Sequence, residues 1–188
     1  MLKNGISLIL ISIFSTCFLP AQDKLPESWH GIWKGKLEIY NSKGLSQTVP
    51  MELHISPVPG SNKLTYTMIY GEGEQAQTRP YFLIAVDPAQ GHYQVDEGNA
   101  ILLDDFLLGG KFYSRFAVEG ILLQSSMELR GKQLIYEITS GNITPLNTTG
   151  DTKINGEKIP AVQSYGIRSM QRAVLKRQGP ENGKKGRM

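Results

Sequence analysis

Three histidines, two adjacent acid pairs and scattered arginine, tyrosine and serine residues are the side chains of this chain that could do chemistry. His30, His54 and His92 stand far apart, and neither His-Glu-x-x-His nor any other ligand spacing joins them. Each reads as a surface or loop histidine, so no metal site is expected. Asp96-Glu97 and Asp104-Asp105 are sequential pairs. Neighbours along a strand point to opposite faces, so neither pair brings two carboxyls onto one proton. Asp96, just before Gly98-Asn99, reads as the cap of a turn. Asp104-Asp105 reads as the decoration of a loop. No Gly-x-Ser-x-Gly or Ser-x-x-Lys supplies a nucleophile. Gly71-Glu72-Gly73 and Gly109-Gly110 are not followed by a helical pattern whose N-terminus could hold phosphate. The expectation is a protein without a cofactor that is not an enzyme.

More informative are polar residues placed among apolar ones at alternate positions. Arg79 shares parity with Tyr81 and Leu83, and Tyr66 with Leu64, Met68 and Tyr70. Ser114 alternates with Phe112, Phe116 and Val118, Ser125 with Ile121, Leu123 and Met127, and Tyr136 with Leu134 and Ile138. Gathered inside a closed sheet, these faces would line an amphipathic pocket. Met51, Tyr66, Arg79, Tyr81, Ser114 and Tyr136 are the expected ligand contacts. A buried guanidinium needs an anionic partner. For Arg79 that partner is either a ligand head group or an internal acid such as Glu97 or Glu137, unless Arg79 stands at the rim.

The elements that must position these residues are strands. From Trp33 to Tyr40 the chain alternates, with Trp33, Gly35, Leu37 and Ile39 on one face. Asn41 to Gly44 is a turn, and Met51, Leu53 and Ile55 alternate in the next run. Pro57 to Asn62 is a turn before a third strand, Leu64 to Tyr70. Further strands are expected over residues 79–86, 92–97, 100–103, 111–118, 121–129 and 134–139, a long loop over 140–160, and a last strand over 161–176. Period-two runs between Gly, Pro and Asn turns are the signature of an antiparallel all-β chain. About nine or ten strands are expected, in a barrel or sandwich.

Gly31-Ile32-Trp33 at the first strand, in an all-β chain of this size, resembles the lipocalin and calycin-like barrels of secreted bacterial proteins. The resemblance implies an up-and-down barrel of about eight to ten strands. It also implies a Trp inside the closed end, covered by a basic residue of the last strand. Arg168, Arg172 and Lys176 are the candidates, and Gly31, Trp33 and Arg172 are the expected closure set. The Thr-Asp-Tyr motif of classical lipocalins is missing. Tyr93 to Asn99 resembles a motif of bacterial lipocalin-like proteins. Haem-binding nitrobindin-like barrels start similarly but carry a late histidine, and here the last one is His92.

Residues 1–21 read as a secretory signal peptide: Lys3, an apolar run from Ile6 to Leu19, then Pro20-Ala21. The run is short for a membrane span, which needs about 20 apolar residues. Lipidation at Cys17, giving an outer-membrane lipoprotein, is the alternative. A single domain is expected over 22–177, with 178–188 a disordered basic tail. The net charge is +3. Lys176, Arg177, Lys184, Lys185 and Arg187 oppose only Glu181 at the end, so the body is near neutral and no nucleic-acid surface is expected. Together these readings imply an exported, periplasmic or extracellular binding protein for a small apolar or amphipathic molecule. The alternative is a structural module of the envelope with a side-chain-filled barrel and a protein partner.

Overall fold

The computed structural model describes Leu25 and residues 27–179. The leader, Cys17 and the tail beyond 179 lie outside the described residues.

Alternation and turn chemistry together build a meander. The strands β1 (Gly31–Asn41), β2 (Gly44–Pro57), β3 (Lys63–Tyr70), β4 (Gln77–Asp87) and β5 (His92–Asp96) follow one another with antiparallel pairing. β6 (Leu102–Leu108), β7 (Lys111–Val118), β8 (Ile121–Arg130) and β9 (Gln133–Asn142) continue the meander. Two hairpins are forced by backbone chirality. Gly109 and Gly110 both have positive φ, as do Glu119 and Gly120, and the twist of such two-residue turns matches that of the strands they join.

After β9 the chain leaves the sheet. β10 (Asn147–Thr149) pairs with β13 (Val162–Ser164), and β11 (Thr152–Ile154) pairs with β12 (Glu157–Ile159). The expected long loop is therefore two small hairpin ladders. β14 (Ser169–Arg177) then returns between β9 and β1 and closes a ten-stranded barrel. The all-β, antiparallel, up-and-down fold is the one expected. The expected single last strand over 161–176 is split at Gly166, whose carbonyl packs where a side chain at Gly141 would have to stand.

One end of the barrel is solid. Trp33 is buried, and its indole Nε1–H donates to the Trp29 carbonyl at 2.9 Å. Trp29, on a short 3-10 turn (Glu27–Trp29), meets Phe112 edge-on at 5.5 Å, and Phe112 meets Tyr93 the same way at 5.2 Å. Leu53, Ile55, Leu83, Leu134 and Leu175 fill the space between these rings. The basic residue over Trp33 is Arg177, its guanidinium 5.9 Å from the ring centre. This corrects the assignment to Arg172. In the β1–β14 register Trp33 faces Arg177, whereas Arg172 lies opposite Glu38. Arg172 points outward and pairs with Glu137 at 3.3 Å. Gly31 completes the closure: an added Cβ would come within 2.8 Å of the Arg177 Nε, and its φ of +129 disfavours any side chain.

Candidate functional site

The other end of the barrel is hollow. A cavity of about 1150 Å³ opens to solvent between the inner faces of the strands. Barrels of about eight strands are nearly filled by their own side chains, and each added strand widens the lumen. Ten strands leave room here for a bound molecule. The cavity favours the expected ligand-holding barrel over its side-chain-filled alternative.

Of the six residues expected to contact a ligand, Tyr66, Arg79, Tyr81, Ser114 and Tyr136 line the cavity. Met51 does not; it is buried in the core around the plug, opposite Gly35 in register. β3 and β4 present Tyr66, Met68 and Tyr70 beside Tyr81 and Arg79, with Tyr66 opposite Tyr81 and Met68 opposite Arg79. Leu37, Ile39, Val49, Val95, Leu103 and Ile138 supply aliphatic wall.

Arg79 takes the rim position. It is exposed, its Nη1–H donates to the Tyr81 hydroxyl at 3.4 Å, and its guanidinium lies 5.7 Å from the centre of the Tyr70 ring. The Tyr81 hydroxyl, more than any other neighbour, holds its proton on. No carboxylate of the described residues forms an ion pair with it. Glu137 is taken by Arg172 on the outer face.

The residue that sequence reasoning misses is Asp105. Its sequence context suggests a loop; instead it lies in the middle of β6 with its side chain inside the barrel and 8% exposed. Burial pushes its carboxyl up to about 6, the Ser114 hydroxyl drawing it back and Asp104 adding to the rise. Asp105 stands opposite Ser114, and Ser114 opposite Ser125, so a polar stripe crosses the inner faces of β6, β7 and β8. The Ser114 hydroxyl donates to the Asp104 carbonyl at 2.7 Å. Burial raises the Tyr66 and Tyr136 phenols, and the charge of Asp105 raises both further. The alternation Leu103, Asp105, Leu107 against Leu102, Asp104, Phe106, ending at Gly109-Gly110, is the signal that could have found this strand.

The histidines sit outside the cavity. His54 meets Glu52 at 2.8 Å and His92 meets Asp104 at 2.8 Å, both on the outer surface. Asp96 does cap its turn, accepting from the Gly98 N–H at 2.9 Å. No group of three His, Cys, Asp or Glu side chains among the described residues could hold a metal ion. Among those residues no helix is long and apolar enough to cross a membrane.

No family model matches the chain, and no curated protein does. Solved structures do. An S-type phycobiliprotein lyase, CPES from Guillardia theta, is similar with a TM-score of 0.56 and 7% identity, over 82% of this chain and 91% of that one. A protein of unknown function from the DUF3598 family of Nostoc punctiforme is similar with a TM-score of 0.54 and 15% identity. That match covers 86% of this chain and 53% of the other, so this chain spans about half of its length. At these identities the likeness establishes a calycin-like barrel architecture. The lipocalin resemblance holds at that level. The expectation that the chain is not an enzyme is corrected by the first neighbour: a barrel of this architecture bears the name of a lyase.

Proposed function

We propose that this chain is an exported barrel that takes up a small amphipathic molecule through its open end. The observation that carries the reading is the cavity of about 1150 Å³, whose wall mixes aliphatic and tyrosine side chains with polar ones such as Arg79, Glu97, Asp105, Ser114 and Ser125. Ligand sites are typically concave, mostly apolar and about 300–1,000 Å³, with a small number of polar groups fixing orientation. The plug of Trp29, Trp33 and Arg177 makes the cavity blind, so a ligand enters and leaves by the mouth lined by Thr48, Glu72 and Gln77. Export rests on the leader pattern of residues 1–21. N-terminal sequencing of the protein recovered from an envelope fraction tests it; a chain that still starts at Met1 overturns it.

The binding reading is tested with the purified protein by native mass spectrometry and by titration with the neutral fluorescent probe N-phenyl-1-naphthylamine. A co-purified mass or saturable one-to-one binding is expected. An empty protein that also ignores the probe would sink the reading.

A second reading is supported by the lyase among the neighbours and by Asp105. In it the barrel acts on the molecule it holds, and the Asp105 carboxyl gives or takes a proton. Its test compares the mass of a bound molecule before and after incubation in wild-type protein and in Asp105→Asn; identical products from both overturn it.

A further inference from the structure

We infer that the cavity selects amphipathic cations, with an ammonium group seated on the Asp105 carboxylate between Tyr66 and Tyr136. The inference rests on the binding reading above and names the class of ligand for the same cavity.

Three independent observations point the same way. First, Asp105 is buried, faces the cavity and has no ion-pair partner among the described residues. Its one favourable neighbour is Ser114, whose hydroxyl also meets the Asp104 carbonyl at 2.7 Å. A buried carboxylate with no charged partner carries a large desolvation cost, which a cationic donor relieves. Second, the side chains around it suit a cation. Tyr66, Tyr70, Tyr81 and Tyr136 line the same cavity, and aromatic faces attract ammonium groups. Third, the charged residues of the wall are Glu72, Glu97 and Asp105 against Arg79 alone. The cavity is thus acidic in a chain whose net charge is +3. A focused negative field of this kind concentrates cations. Arg79 does not oppose the seat, because it is held at the rim by Tyr81 and Tyr70.

The groups that face or adjoin Asp105 are Asp104 on its own strand, Tyr93 on β5, Ser114 on β7, Tyr66 on β3 and Tyr136 on β9. None is a cation, and the phenols keep their protons across neutral pH. Ionisation of Asp105 itself therefore switches the seat on between about pH 5 and 7.

The test displaces N-phenyl-1-naphthylamine from the full-length protein with dodecylamine, dodecanol and dodecanoate, each below its micellar concentration, at pH 7.5. Dodecylamine is expected to compete at a concentration about tenfold lower than the other two, the size of one charge-assisted hydrogen bond. The advantage should vanish in Asp105→Asn and shrink in the wild type at pH 5. Equal competition by dodecanol or dodecanoate in the wild type overturns the inference without touching the binding reading. Failure of the probe and of all three amphiphiles to bind overturns the binding reading itself. The three-way comparison in wild-type protein decides the matter even where the variant does not fold.

Discussion

At the scale of single residues, the chemistry of this barrel concentrates in one carboxyl. Asp105 is the group whose ionisation the fold opposes, and the linkage has a definite sign. Its folded value is raised from 3.8 to about 6, so between about pH 4 and 6 the folded chain holds more protons than the unfolded chain. Stability contributed by the neutral acid is complete below pH 4 and is lost as the pH rises through 6. The loss amounts to roughly 3 kcal/mol, because each tenfold change in proton affinity is worth about 1.4 kcal/mol. Asp105→Asn removes it. Urea unfolding of both proteins at pH 4 and pH 7 should show the variant gaining on the wild type by that order between the two conditions. Glu52, held low, gives a slope of opposite sign, but it is common to both proteins and cancels in the difference. A pH-independent difference would falsify the buried-carboxyl assignment. The pocket residues Tyr66, Arg79, Tyr81, Ser114 and Tyr136 are legible from parity alone, because period two places them on the face that also carries Leu83, Phe112 and Leu134. Asp105 is not. Two adjacent aspartates have poor strand propensity, and the exposed outer Phe106 and Leu108 blur the alternation around them. Arg177 escapes for a smaller reason: the expected strand ends one residue before it.

At the scale of elements, closure depends on how closely β1 and β14 approach. Gly35 lies opposite Leu175, and a Cβ there would press on the Val174 carbonyl and come within 3.0 Å of the Leu175 side chain. The collision is with backbone, so the strands themselves must separate. Gly35→Ala should therefore cost about 1–3 kcal/mol, the usual range for overpacking a tight core. Thermal melts of the two proteins check this; an unchanged midpoint would show that the seam has slack. Apart from β6, read as a strand over 100–103 only, the meander from β1 to β9 is readable because turns such as Asn41 to Gly44 and Pro57 to Asn62 separate its alternating runs. The segment after β9 is not, although Asn155-Gly156, both with positive φ, carries a strong hairpin signal. Its strands have three residues each with nearly every side chain exposed, so no burial pattern survives to mark them.

At the scale of the whole molecule, the barrel and the excursion between β9 and β14 are separable. β10 pairs with β13, and β11 with β12; neither ladder joins the ten-stranded sheet. No residue from 143 to 168 lines the cavity. The ends of the excursion are already close, since Ser140 faces Ser169 across the β9–β14 seam and the Arg168 N–H donates to the Ser140 carbonyl at 2.8 Å. Shortening a connection between fixed ends changes closure entropy only weakly, by about 0.6 kcal/mol for each halving of length. Replacing residues 146–165 with a short Gly-Ser linker should thus keep the β-sheet circular dichroism and leave N-phenyl-1-naphthylamine affinity within about twofold. Loss of the fold would mean that the excursion itself holds the β9–β14 seam shut. Retained fold with lost binding would mean that the excursion covers the mouth. Retention of both confines uptake to the barrel, where the cavity, the tyrosines and Asp105 are.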